Sequence, residues 1–278
     1  KKNGIDEGTT FNQLFQRPTN FAVYYPDGSL TGYVGGRRNP LANALYDKNE
    51  TETFGTSLFN FIEIGLMKDL KLTTSFNVDL SLPHGTDFNP KIISASNPTR
   101  NDGGESFDLN IGWQYQAYLN YTKTIHKDHS LNLMAGFSAE RAKTNTFDIK
   151  GADYVSETVF TSNAAAQLVN SGTRTGASAH SMASFFGRLG YSYKSRYLLN
   201  ATLRHDGSSR FGKANLWGDF PSVSAAWRLS DEAFMSWTRR YLSDAKLRVS
   251  YGITGNERIG NYDAMQRITF GSSYYNGV

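Results

Sequence analysis

Three groups of residues have the types and spacing for chemistry. The run Asp206-Gly207-Ser208-Ser209-Arg210-Phe211-Gly212 sets backbone and hydroxyl donors beside a guanidinium, the ingredients of an anion-binding loop. Its plainer reading, which we prefer, is a strand-to-loop turn with Gly207 at a dihedral angle closed to other residues. His126 and His129 flank Lys127-Asp128. Two imidazoles without a third ligand make a weak metal site, and a solvated turn accounts for them. Arg188, Arg204, Arg228 and Arg248, with Asp108 among the acids, take the polar face of alternating segments. Such arginines either guide an anionic solute or pair with neighbouring acids, and both readings stand. Catalysis finds no anchor: there is no Gly-x-Ser-x-Gly elbow, P-loop or His-Glu-x-x-His. Catalytic, cofactor and metal residues are therefore expected to be none, and substrate-contacting residues stay unassigned.

Composition narrows the class. The 278 residues carry 29 Lys plus Arg against 25 Asp plus Glu, a formal charge of +4. The cations never gather beyond pairs such as Arg37-Arg38 and Arg239-Arg240, so the patch needed for nucleic acid is missing. With no cysteine, disulfide frameworks and thiolate zinc sites are excluded. No stretch approaches the roughly 18 apolar residues of a transmembrane helix, which leaves a β-barrel open because only alternate strand residues meet lipid. The start, Lys1-Lys2-Asn3-Gly4, shows neither an initiator Met nor an apolar signal core, and both chain ends read as loop. We expect an internal piece of a longer chain.

Long strands must position these groups. Phe107, Leu109, Ile111, Trp113, Tyr115, Ala117, Leu119 and Tyr121 alternate with Asp108, Asn110, Gly112, Gln114, Gln116, Asn120 and Thr122, broken only by Tyr118. A period of two is a strand with one apolar and one wet face. Soluble strands run about 5–6 residues and membrane-crossing ones about 9–11, so this length favours a bilayer. Further alternating segments fall at 58–66, 70–82, 131–139, 183–193, 197–205, 221–229 and 247–253, making eight strands with 107–125. In the first, Phe59 and Phe61 sit opposite Leu58, Ile62, Ile64 and Leu66. Pairing Tyr193 with Tyr197 sets Tyr191 by Leu199, Leu189 by Ala201 and Phe185 by His205. Pairs Tyr121/Leu131, Leu66/Leu72 and Leu229/Leu247 keep the same parity, as antiparallel neighbours require.

Connections alternate in length. Short ones fall at 68–69, 126–130 and 194–196; long ones, rich in Gly, Asn, Ser, Thr and Asp, at 83–106, 144–181 and 206–219. That asymmetry matches the periplasmic turns and exterior loops of outer-membrane barrels. One short-side connection, 230–242, reads as a brief helix with Ser230 as N-cap, Asp231 and Glu232 in its first turn and Arg239-Arg240 near its end. Phe234, Met235 and Trp237 could dock on the barrel rim, although a local capping feature explains it as well. Tyr121, Tyr191, Tyr193, Tyr197 and Trp227 collect at the short-turn ends of the apolar face, where an aromatic girdle belongs. Lys123 lies on the apolar face at a strand end, where it can snorkel to water.

Beyond this general pattern, Ala201-Thr202-Leu203-Arg204-His205 and the Asp206–Gly212 run resemble a signature of SusC/RagA-type TonB-dependent outer-membrane transporters. The similarity continues in Trp217-Gly218-Asp219-Phe220-Pro221-Ser222-Val223-Ser224-Ala225-Ala226-Trp227-Arg228. It goes on through Leu247-Arg248-Val249-Ser250-Tyr251-Gly252-Ile253-Thr254-Gly255-Asn256 to Ile259-Gly260-Asn261-Tyr262, and Asn39-Pro40-Leu41-Ala42 is similar to a loop of the family. It is dense from about Phe185 to Tyr262, and His205 stands where Arg is the commoner residue. The resemblance implies an all-β antiparallel transmembrane barrel of about 22 strands, closed by a plug and energised through TonB. It also implies a SusD-like lipoprotein lid, outer-membrane lipid around the barrel, and an oligosaccharide or peptide substrate. Residues 1–278 then form part of one barrel domain, about eight strands of the set, with the plug and the C-terminal strands outside it. Two other classes compete. A passive porin or surface adhesin would share the strands but not the motifs, and a secreted carbohydrate-binding β-sandwich would not need sixteen-residue alternation.

Overall fold

Alternating side chains pair into one antiparallel sheet. The computed structural model describes residues 2–3, 15, 21–34, 37–94 and 100–265. In chain order the elements are β1 (Lys2–Asn3), β2 (Tyr33–Val34), β3 (Arg37–Arg38), helix α1 (Pro40–Tyr46), β4 (Lys48–Met67), β5 (Leu70–Asn89), β6 (Asp102–Ile125) and β7 (His129–Tyr154). There follow β8 (Ala165–Leu168), β9 (Arg174–Tyr193), β10 (Tyr197–Ser208), β11 (Trp217–Arg228) and β12 (Lys246–Gly252). The sheet order is β1-β4-β5-β6-β7-β9-β10-β11-β12, with β8 alongside β7 and a separate β2-β3 pair. All eight alternating segments are strands, and sequence neighbours are sheet neighbours.

Several boundaries differ from expectation. Residues 83–89, 102–106, 144–154 and 174–181, anticipated as loop, continue the strands. Their polar residues carry no alternation, yet cross-strand pairing still satisfies their backbone groups. β4 begins at Lys48, not at 58, and α1 precedes it where only loop was anticipated. Lys2–Asn3 pairs with β4, while the last residues, 266–278, lie outside the described set. The connection after β11 is not an α-helix capped by Ser230. It is a 3₁₀ turn, Leu229–Asp231, then a 3₁₀ helix, Ala233–Arg240, whose first-turn amides receive no side-chain cap. The Ser230 hydroxyl instead reaches Asp244 at 3.4 Å. Because Leu229 leaves the strand, Trp227 and not Leu229 opposes Leu247, a shift of two that keeps the parity.

The register between β9 and β10 follows the hydrophobic pattern. Tyr193 opposes Tyr197, Tyr191 opposes Leu199, Leu189 opposes Ala201 and Phe185 opposes His205. The turn between β9 and β10 has φ of 49° at Lys194 and 56° at Ser195, and the Arg196 amide donates to the Tyr193 carbonyl at 3.0 Å. Positive φ at both central residues is the type I′ geometry that matches strand twist, reached here without glycine. His126 and Lys127 repeat it, with φ of 48° and 64°.

The chain divides into two compact units: residues 1–57, 79–111 and 143–178, and residues 58–78, 112–142 and 179–278. In the first, Asn39 is fully buried as the N-cap of α1. Its carbonyl oxygen accepts from the Leu41 amide at 3.0 Å while its amide donates to the Val23 and Thr31 carbonyls at 2.9 and 2.8 Å. This explains the Asn39-Pro40 pair, since Pro at the first helical position gives up no needed donor. Phe88 is buried against Tyr154 and Phe160, with centroids at 5.2 and 4.9 Å. The second unit holds the most strongly alternating parts of the strands, and its large apolar side chains stay exposed rather than forming a core.

Candidate functional site

The even-numbered residues of β9 to β11 build a polar face. Thr202 stands between Arg188 and Ser222, and Arg204 between Phe186 and Phe220. Arg204 donates from Nε to both Asp206 oxygens, at 2.7 and 2.9 Å, and from a terminal nitrogen to Ser184 at 2.9 Å. A cleft of about 340 Å³ opens on this face, lined by Gln116, Met134, Phe186, Arg188, Thr202 and Arg204. Asn132 extends the polar face on β7, donating to Asn120 at 3.2 Å and Thr122 at 2.9 Å. Such a surface can hold hydroxylated or amide-bearing solutes by hydrogen bonding.

The expected lumen residues fare unequally. Arg204 is committed to Asp206, and Arg228 lies 3.7 Å from both Asp231 and Asp244. Among the described residues no salt bridge joins an acid to Arg188 or Arg248. Asp108 is on β6, with one carboxylate oxygen buried and without a hydrogen-bond partner. Lys123 meets Asp69 at 3.2 Å instead of reaching for water alone.

The Asp206–Gly212 loop does not offer its arginine to a ligand. Arg210 donates to Asn261 at 2.9 Å and to the Glu257 carbonyl at 3.2 Å, with the Glu257 carboxylate at 3.5 Å. It thus ties this loop to the segment after β12, which accounts for two of the resembled motifs occurring together. The expected unusual dihedral at Gly207 is also corrected: its φ is not positive. Glycine is needed there because a Cβ would sit 2.7 Å from the Trp217 indole. Trp217 in turn stacks on His205 (4.7 Å, 4°), whose Nδ1 is 2.8 Å from an Asp219 oxygen. At the other end, His129 is not paired with His126 for a metal; its Nδ1 lies 2.7 Å from the Tyr191 hydroxyl.

The odd-numbered residues of the same strands form an apolar face with an aromatic band at each end. One band is His129, Tyr191, Tyr193, Tyr197 and Trp227, with Tyr193–Tyr197 and Tyr197–Trp227 stacked at 6.2 and 6.3 Å. The other is Phe137, Phe185, Trp217 and His205. The second band was not foreseen, although Trp217 and Phe185 share the parity of Trp227. From Trp217 to Trp227 are ten steps of about 3.3 Å, and a tilt of about 40° projects that path to about 25 Å, the height of a barrel's apolar band. Between the bands lie Leu189, Leu199, Ala201, Leu203, Val223 and Ala225.

At the first band Glu232 gathers three donors: the Tyr197 hydroxyl at 2.7 Å, the Trp227 indole at 3.0 Å and Arg196 at 3.4 Å. The Tyr197 bond first, and the Trp227 bond next, hold its carboxyl below the ordinary range.

In the first unit a larger cleft, about 690 Å³, is lined by residues that include Leu45, Tyr46, Lys48, Phe88, Glu157 and Phe160. The Lys48 ammonium lies 4.0 Å from the Phe160 centroid, and Glu157 accepts from the Lys91 amide at 2.8 Å. Rings beside charges suit a sugar face or a peptide. Sequence reasoning missed this cleft because its lining comes from three segments all taken for loop: α1 with the start of β4, the end of β5, and the stretch after β7.

No family model matches the chain. It is 33% identical over 277 residues to TonB-dependent receptor P39 of Formosa agariphila, covering 100% of this chain and 26% of that protein. It is 31% identical over 243 residues to TonB-dependent receptor SusC of Bacteroides thetaiotaomicron, covering 85% of this chain and 23% of SusC. The structure matches that of the RagAB peptide importer in its closed-closed state with a TM-score of 0.79, 20% identity, and coverage of 94% of this chain and 29% of that one. The open-open state gives a TM-score of 0.78 at 21% identity, with the same coverages. The chain therefore spans about a quarter of the length of the curated relatives it matches.

Proposed function

This chain belongs with the SusC/RagA-type TonB-dependent receptors, and from that premise we propose that it is part of an outer-membrane barrel importing a large nutrient by TonB-driven transport. The nutrient class is an oligosaccharide or a peptide, and a SusD-like lipoprotein covers the exterior mouth. Residues 1–278 supply part of one barrel domain in the outer membrane of a Gram-negative bacterium. The plug and the TonB contact belong to other parts of the protein. One observation carries this reading most: two aromatic bands, ten residues apart along β11, bound an apolar face, while the alternate residues of the same strands form a polar one. The long connections then face the exterior and the short ones the periplasm. Asp108, Arg188, Arg204, Arg228 and Arg248 line the lumen, with Arg188 and Arg248 meeting solute and the paired arginines shaping the wall.

A passive porin or adhesin shares this geometry, so energy dependence is the discriminating property. Cells with the full-length protein in their native outer membrane should take up a fluorescent oligosaccharide or oligopeptide pool only while TonB is present. Deleting TonB should abolish the uptake. Uptake that continues unchanged in the deletion would establish a passive pore and overturn the importer reading.

A further inference from the structure

The connection between β11 and β12 has a geometry that the strand pattern does not require. A 3₁₀ helix repeats every three residues, so side chains at i and i+3 stand directly over one another. In Ala233–Arg240 this makes one row of Phe234, Trp237 and Arg240, and a second of Met235, Thr238 and Tyr241. The second row begins inward: Thr238 is buried, with its hydroxyl donating to the Met235 carbonyl at 2.7 Å. The first faces out, with Phe234 58% and Trp237 75% exposed. Tyr241, just past the helix, is 84% exposed.

The first residue of the outward row is held by the girdle. Phe234 packs edge-on against Trp227 at 6.2 Å, and Glu232, immediately before the helix, accepts from both Trp227 and Tyr197. Those two rings border the apolar face of the sheet, where a groove of about 680 Å³ is lined by Tyr191, Tyr197, Leu199, Trp227, Leu247 and Val249. Phe234 and Trp237 therefore prolong that apolar surface past the end of the strands, and Arg240 closes the row with an exposed cation. Burying two large rings in water-facing protein needs a partner surface, whereas the boundary of a bilayer receives rings and cations together.

We infer that Ala233–Arg240 is an interfacial anchor: Phe234 and Trp237 sit at the acyl–glycerol boundary of the leaflet on the short-turn side, and Arg240 contacts phospholipid phosphate. The inference rests on the barrel reading above and adds to it a membrane contact made by a connection rather than by a strand. The anchor holds the rim of β11 and β12 at a fixed depth, with Glu232 as the clasp between helix and girdle.

The test reconstitutes the full-length protein in phosphatidylethanolamine–phosphatidylglycerol vesicles, with a single environment-sensitive fluorophore on Trp237→Cys, Ser243→Cys or Ala201→Cys. Lipids carrying nitroxide near the headgroup or at mid-chain act as quenchers. The fluorophore at 237 should be blue-shifted and quenched about threefold more by the shallow nitroxide than by the deep one, as interfacial residues are. At 201 the deep nitroxide should dominate, and at 243 neither should quench. Water-like emission at 237 that aqueous iodide quenches and lipid does not, with 201 behaving as stated, overturns the anchor and leaves the barrel intact. Shielding of 237 from both iodide and lipid overturns it too, and points to a protein neighbour. Absence of lipid quenching at 201 overturns the barrel reading itself.

Discussion

Ala201→Arg in the full-length protein should block barrel assembly to a degree that Thr202→Arg does not. Ala201 stands between Leu189 and Val223, midway between the Trp217 and Trp227 bands, and its side chain belongs to the apolar face. An arginine on a barrel's lipid face near the midplane costs about 2–4 kcal/mol, and the cost vanishes toward the interfaces. Thr202, one residue on, faces Arg188 and Ser222 across the polar surface. A charge added there meets water and hydroxyls, and its repulsion from Arg188 costs only about 1 kcal/mol at 4 Å in high dielectric. Asn200→Arg, opposite Gly190 and Ser224, gives a second control without that neighbour. Heat-modifiable migration and the folded fraction in outer membranes measure all three. Equal tolerance at 201 and 202 would contradict a bilayer around this strand, and the reverse order would invert the faces.

Gly207→Val should destabilise the aromatic band around Trp217. The new Cβ would lie 2.7 Å from the Trp217 indole, so the ring must leave its stack on His205 and its contact with Phe185. Overpacking of this kind costs about 1–3 kcal/mol. Denaturant unfolding of the reconstituted protein should show that loss. Adding Trp217→Ala, which removes the obstructing ring, should make the Gly207→Val step nearly neutral. A full penalty that persists in the absence of Trp217 would place the need for glycine in the backbone instead.

These two positions show where the sequence was readable. The pairing of Ala201 with Leu189 was legible from parity alone, because a one-residue slip would move every ring of β9 and β10 to the other face, and the observed Tyr193–Tyr197 register leaves no such slip. Gly207 was assigned the wrong cause. Nothing in Asp206-Gly207-Ser208 announces that an indole from β11 will lie over it, since that contact is made by pairing Gly207 with Trp217. β7 runs to Tyr154 and not only to 139; its far part was missed because Glu140-Arg141-Ala142-Lys143-Thr144-Asn145-Thr146 is largely polar on both faces and leaves only the short alternation Phe147-Asp148-Ile149-Lys150 beyond it. The type I′ turn at Lys194-Ser195 lacked the usual glycine signal and was legible only from its length. Ser230 illustrates the opposite error: an N-cap residue type in front of acids suggested a capped α-helix, whereas the chain uses Glu232 to bind the girdle and keeps a tighter 3₁₀ path.

The candidate site was legible in its face and not in its partners. Arg188, Arg204, Arg228 and Arg248 belong to one face of successive strands by spacing. Which of them are spent depended on Asp206 near the end of β10 and on Asp231 and Asp244 in the connection after β11, pairings that no periodicity fixes. The cleft around Lys48 and Phe160 brings together residues more than a hundred positions apart and left no local signature.

That one face of these strands meets lipid and the other an aqueous lumen is the claim on which the importer reading and the anchor both depend. A nitroxide scan along residues 197–205 of the reconstituted full-length protein tests it most directly, by comparing accessibility to oxygen, which partitions into lipid, with accessibility to a water-soluble nickel chelate. The account predicts oxygen maxima at Leu199, Ala201 and Leu203 and chelate maxima at Asn200, Thr202 and Arg204, out of phase with a period of two. Two profiles that rise and fall together, or chelate maxima at the odd positions, would contradict it.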